Sequence, residues 1–167
     1  MKIIVLGCGN IGSVAAKDLA ESLPSAEIVI SDVNKIRAKE AVSEIGRDNV
    51  SWVQVDASDH GELVSTLKKF DLAVGALPGS MGYQACKASI AARVDMVDVS
   101  YMPEDVMTLN KDALEADVRV VPDCGMSPGL GSVLVGRAVN RLDQVESVHM
   151  LNGGLPEKPV PPLGYVI

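Results

Sequence analysis

Short β-branched apolar runs alternate with longer stretches of helical periodicity along almost the whole chain. The runs predict strands over residues 2–6, 27–31, 51–55, 72–76, 96–99, 119–122 and 145–151. The stretches between them predict helices over 11–22, 35–44, 61–69, 81–92, 103–115 and 128–142. Several of these strands read as near-continuous aliphatic runs, the pattern of a sheet covered on both faces. Strands separated by helices imply right-handed crossovers and a parallel sheet. The expected fold class is therefore α/β, a doubly wound parallel sheet, with the start of a second, α+β domain at the C-terminus.

Capping signals place some of the boundaries. Ser80 is expected to cap the helix over 81–92, and Ser127 the helix over 128–142 with Pro128 at its first position, where a missing N–H costs nothing. Beyond Leu151 the texture changes. Asn152-Gly153-Gly154-Leu155-Pro156 is followed by Pro159, Pro161, Pro162 and Gly164, a run that cannot continue a helix. Residues 1–143 then form one domain, and 144–167 enter the second domain of a longer protein.

The chemistry is concentrated in the first loop. Gly7-Cys8-Gly9-Asn10-Ile11-Gly12 is GxGxxG, set directly after a strand and before a helix. Gly7 makes the tight turn, Gly9 lets backbone approach a pyrophosphate, and Gly12 lets helix and strand pack closely. Asn10 and Ile11 open the helix, whose N–H groups face the phosphates. Asp32 ends the second strand, where a carboxylate can accept from both ribose hydroxyls. Together these predict a Rossmann domain for NAD, with NADP as the alternative because Lys35 and Arg37 follow closely. Two more loops lie at carboxyl ends of strands, where open α/β sheets bind ligands. Asp56 and Ala57 are expected to border the adenine, and Leu77 and Pro78 to border the path toward the nicotinamide.

Composition narrows the partners. Hydrophobic residues make up 47% and aromatics 3%, so the core is aliphatic. A net charge of −7 with scattered Lys and Arg argues against nucleic acid. No stretch matches the roughly 18 apolar residues of a membrane span. The opening run from Met1 reaches Gly7 too soon for a signal peptide, which predicts a cytoplasmic protein. Cys8, Cys86 and Cys124 are far apart and without CxxC spacing, so they read as reduced thiols, with no metal site expected. His60 and His149 read as structural.

The back half carries an ordered set of segments: Val97-Asp98-Val99-Ser100-Tyr101, then Asp123-Cys124-Gly125-Met126-Ser127-Pro128-Gly129-Leu130, then Gly153-Gly154-Leu155-Pro156 and Pro162-Leu163-Gly164-Tyr165. With the glycine loop, this set resembles the saccharopine dehydrogenase and lysine 6-dehydrogenase family. The resemblance implies an NAD(P)-dependent oxidoreductase acting on the CH–NH2 or CH–NH group of an amino acid. It further implies a second domain over the substrate and a homodimer in the full-length protein. The loop from Cys124 to Leu130 looks more like the lysine branch, with the NADP-dependent saccharopine branch as the alternative. The family commonly has glycine in a left-handed cap before its fifth and sixth strands. Here Arg93 and Asp117 stand there, which predicts a first loop of different shape.

Tyr101, Asp123 and Cys124 are the catalytic candidates, all at carboxyl ends of strands. Tyr101 either offers its hydroxyl to substrate or nicotinamide, or packs as an aromatic lid. Asp123 either holds a substrate ammonium or caps its own turn. Cys124 either touches the substrate edge or packs inertly. A function of another class, a non-catalytic NAD-sensing module, would share the glycine loop and Asp32 but has no reason to carry the ordered back half.

Overall fold

The computed structural model describes residues Met1–Gly153, and the chain divides into two compact units, Met1–Gly125 and one beginning at Met126. In the first unit the elements run β1 (Lys2–Leu6), α1 (Asn10–Ser22), β2 (Glu27–Asp32), α2 (Lys35–Ile45), β3 (Val50–Gln54), α3 (His60–Leu67), β4 (Leu72–Gly75), α4 (Gly79–Ala92), β5 (Asp95–Asp98), a 3₁₀ turn (Val106–Leu109), α5 (Asn110–Ala116) and β6 (Val120–Val121). The sheet order is β3-β2-β1-β4-β5-β6 with every pair parallel. This is the doubly wound α/β fold expected.

Side-chain alternation along β1 divides the core. Ile3 and Val5 face Ala16 and Ala20 of α1 and Ala38 of α2, whereas Ile4 and Leu6 face Leu63 and Leu67 of α3 and Ala85 of α4. These four of the five β1 side chains are buried. Small residues let the helices sit close to the sheet: α4 buries Gly82, Ala85, Cys86, Ala88 and Ser89 together.

Four local expectations need correction. The fourth helix begins at Gly79 with Pro78 as its cap, so Ser80 lies inside the first turn. The helix expected over 103–115 starts later, because Asp105 accepts from Met107 N–H and opens the 3₁₀ turn. In the second unit α6 (Leu130–Val139) is capped by Gly129 at φ 130°, so Ser127 and Pro128, joined by a cis peptide bond, precede the helix and are not its cap and first residue. Residues 145–151 form no strand. A strand needs a ladder partner, and none pairs with them among the described residues. Of the Gly153-to-Tyr165 segments, everything after Gly153 lies outside the described residues. Among those described, no helix is long and apolar enough to cross a membrane, and no His, Cys, Asp and Glu cluster could hold a metal.

The loop before β5 does not change shape in the way its sequence suggests. Arg93 adopts the left-handed cap itself, at φ 60° and ψ 47°, and Asp117 does the same at φ 55°. Each closes a Schellman turn: Val94 N–H donates to Ser89 O and Val118 N–H to Ala113 O, both at 3.0 Å. The buried side chains of Val94 and Val118 anchor these turns and override the local preference. Since a non-glycine residue in that region is strained by about 1–2 kcal/mol, Arg93→Gly is expected to stabilise the domain by roughly 0.5–1 kcal/mol after glycine's added chain entropy. Asp117→Gly should gain less, and the midpoints of urea unfolding measure both.

Candidate cofactor site

Order reverses between β1 and β4, whose following helices leave on opposite faces of the sheet, and a crevice of about 410 Å³ opens at that point. Gly7 turns the chain at φ 93°, where an added Cβ would stand 2.7 Å from the Ala76 carbonyl oxygen. A Cβ on Gly12 would collide with the Gly7 carbonyl, so that glycine fixes how closely α1 meets the turn. Gly9, in contrast, faces open space and lines the crevice. No side chain caps α1, which leaves its first N–H groups for an anion. The cradle fits a dinucleotide pyrophosphate.

Asp32, the last residue of β2, lines the crevice. Its Oδ1 accepts from Asn34 N–H at 2.8 Å, and its Oδ2 accepts from Cys8 N–H and the Cys8 thiol, both at 3.1 Å. Burial pushes this carboxyl up, but those donors and the Arg37 guanidinium outweigh it and hold Asp32 below the usual carboxylate range. Burial, then the hydrogen bond and charge of Asp32, raise the Cys8 thiol to about 11. Arg37 lines the crevice and Lys35 does not.

Of the residues singled out in sequence, Gly7, Gly9, Asn10, Ile11, Asp32, Asp56, Ala57, Leu77 and Pro78 all line this crevice, with Gly12 packed against the Gly7 turn. Asp56 receives Ser58 Oγ at 2.6 Å and Ser58 N–H at 2.9 Å, which hold it ionised below its ordinary range. Asp59 is the N-cap of α3. Sequence reasoning missed Val33, Val55 and Met81 in the lining, apolar residues with no signal of their own, and missed the thiol on Asp32.

Tyr101, Asp123 and Cys124 stand outside the crevice lining. Tyr101 is 78% exposed, and Asp123 sits in the left-handed region at φ 58°. Cys124 N–H donates to the Asp98 carbonyl at 2.9 Å, tying this turn to the end of β5. Burial first, then Asp98 and Asp123, raise the Cys124 thiol, so it stays neutral. Asp98 itself is fully buried at the end of β5. Its Oδ1 accepts from the N–H and hydroxyl of Ser100, while its Oδ2 has no partner among the described residues. A Cβ on Gly75 would collide with that Oδ2.

Burial raises the Asp98 carboxyl, against the lowering bonds from Ser100, and the charge of Asp123 adds to the rise. A carboxyl whose folded value lies above its unfolded one holds more protons folded than unfolded. Its stability contribution is therefore complete below about pH 4 and declines as pH rises through the folded value. Asp98→Asn keeps the shape without the proton. Its urea midpoint, compared with the parent's from pH 4 to 8, should lack that decline.

The surrounding geometry agrees with what the chain is similar to. The family model described as the saccharopine dehydrogenase NADP binding domain matches residues 3–121. The chain is 28% identical over 162 residues to the mitochondrial alpha-aminoadipic semialdehyde synthase of Bos taurus, covering 93% of this chain and 17% of that protein. It is 24% identical over 119 residues to the NADP(+), L-glutamate-forming saccharopine dehydrogenase of Pyricularia oryzae, covering 68% of this chain and 26% of that protein. In structure it overlays on the L-Glu-forming saccharopine dehydrogenase of Saccharomyces cerevisiae with a TM-score of 0.73 at 17% identity, over 84% of this chain and 31% of that one. The chain thus spans well under half the length of these relatives. A glycine cradle at the switch point, an acid ending β2 and the matched model lead to one assignment: this chain belongs to the saccharopine dehydrogenase NADP-binding domain family and is an NAD(P)-binding Rossmann domain.

Proposed function

We propose that this chain is the cofactor-binding part of an oxidoreductase acting on the carbon–nitrogen bond of an amino acid, with residues 144–167 leading into a substrate-covering domain. The observation that carries this reading is the crevice in which a helix N-terminus, Asp32 and Arg37 converge. The bound nicotinamide supplies hydride acceptance or donation. This chain's residues do the holding. The α1 N-terminus receives the pyrophosphate, Asp32 the adenosine ribose, and Asp56 and Ala57 border the adenine. Leu77 and Pro78 border the route toward the reacting end, and Ala76 between β4 and that pair leaves room for it.

On the substrate side, Asp123 pairs with a substrate ammonium and Tyr101 offers its hydroxyl. Cys124, neutral and tied to Asp98 through its N–H, contributes shape rather than charge. The named relatives support saccharopine as substrate. The segment from Cys124 to Leu130 supports a second reading, oxidation of L-lysine at its terminal carbon–nitrogen bond, as in a lysine 6-dehydrogenase. NAD is the cofactor favoured by Asp32, and Arg37 supports NADP. The full-length protein is proposed to work as a cytoplasmic homodimer.

Calorimetric titration of the folded chain with NAD, NADH, NADP and NADPH tests the cofactor reading. Binding of NAD or NADH should weaken by roughly 1–3 kcal/mol in Asp32→Ala, the loss of charged hydrogen bonds. Absence of binding by all four would overturn it. In the full-length protein, saccharopine and L-lysine are assayed for reduction of NAD and NADP. Turnover of neither would refute the amino-acid assignment.

A further inference from the structure

We propose that Cys8 is a specificity-determining residue: its thiol occupies Asp32 and so relaxes discrimination between an adenosine ribose with a free 2′-hydroxyl and one carrying a 2′-phosphate. The inference rests on the crevice being the dinucleotide site. An ionised carboxylate offers about four acceptor positions. In this fold three are taken from within the protein, by Asn34 N–H on Oδ1 and by the Cys8 N–H and thiol on Oδ2. One position remains, so Asp32 takes one ribose hydroxyl where an uncapped carboxylate would take two.

The thiol is suited to this part. Cys8 is 7% exposed, and burial with the adjoining Asp32 keeps its proton on well above neutral pH. It therefore remains a donor and never a competing anion. Close enough to Asp32 to lower its carboxyl, Arg37 lines the same crevice and supplies a guanidinium whose planar donors match a phosphate. An acid with part of its hydrogen-bonding capacity already spent, with an arginine near it, lets both cofactor types enter a pocket that an uncapped Asp32 would reserve for NAD.

The test measures Kd for NAD and NADP on the parent chain and on Cys8→Ala, Cys8→Ser, Asp32→Ala and the Cys8→Ala/Asp32→Ala double variant. Removing the thiol frees an acceptor, so the ratio Kd(NADP)/Kd(NAD) should rise roughly three- to tenfold in Cys8→Ala, the scale of one hydrogen bond. Cys8→Ser keeps a donor and should hold the ratio within about twofold of the parent. In the Asp32→Ala background, Cys8→Ala should leave the ratio unchanged, because the thiol acts only through the carboxylate. A packing role for this buried side chain would move both constants together. An unchanged ratio in Cys8→Ala, or the same rise without Asp32, overturns the proposal. If the folded parent binds neither dinucleotide, the crevice reading falls and takes this inference with it.

Discussion

Everything in the first unit depends on β1 being held on both sides at once. Its backbone pairs with β2 through Lys2–Leu6 and with β4 through Ile3–Leu6, and its side chains are buried above and below. Each fully buried aliphatic side chain contributes about 1.5–3 kcal/mol relative to exposure. A strand so enclosed cannot slip by one residue without presenting the wrong side chains to each helix layer. That fixed register sets where Gly7 leaves the sheet. It also sets where Asp32, at the end of the neighbouring strand, meets the glycine turn.

The site is built from the consequences of this enclosure. Crossovers leave β1 and β4 in opposite directions, so their carboxyl ends part and a crevice forms without any side chain being spent to make it. Close approach does the rest. Gly7, Gly12 and Gly75 each stand where a methyl group would collide with a carbonyl or a carboxyl. The two carboxyls at strand ends illustrate opposite solutions. Asp32 gathers enough donors to stay ionised despite partial burial, whereas Asp98, buried with one oxygen unpartnered among the described residues, is driven toward its neutral form.

Much of the fold was legible because its signals are local. Aliphatic runs bounded by glycine, aspartate and proline located β1 to β6, within a residue or two at most ends. Nine of the crevice residues were also legible, since GxGxxG and the acid ending β2 occupy fixed places in this topology. Misplacements fell at helix starts, where neighbouring residues compete for the cap, and at a run with no strand to pair with among the described residues. Ser80 and Ser127 have capping hydroxyls, yet Pro78 and Gly129 hold the cap positions, and neither helix has a side-chain cap bond. Residues 145–151 have the composition of a strand, but strand formation is decided by a partner.

By itself the sequence determined the parallel α/β architecture, the glycine cradle and the acid at its end, because periodicity, turn chemistry and spacing are properties of the chain read in order. Only the tertiary structure decided that Arg93 takes a left-handed cap, that the Cys8 thiol lies on Asp32, that Arg37 rather than Lys35 reaches the crevice, and that one oxygen of Asp98 is buried without a partner among the described residues. Each of these depends on atoms distant in sequence and adjacent in space. Burial, the number of available donors and the angle at which one element meets another are set by packing, and local sequence carries no record of them.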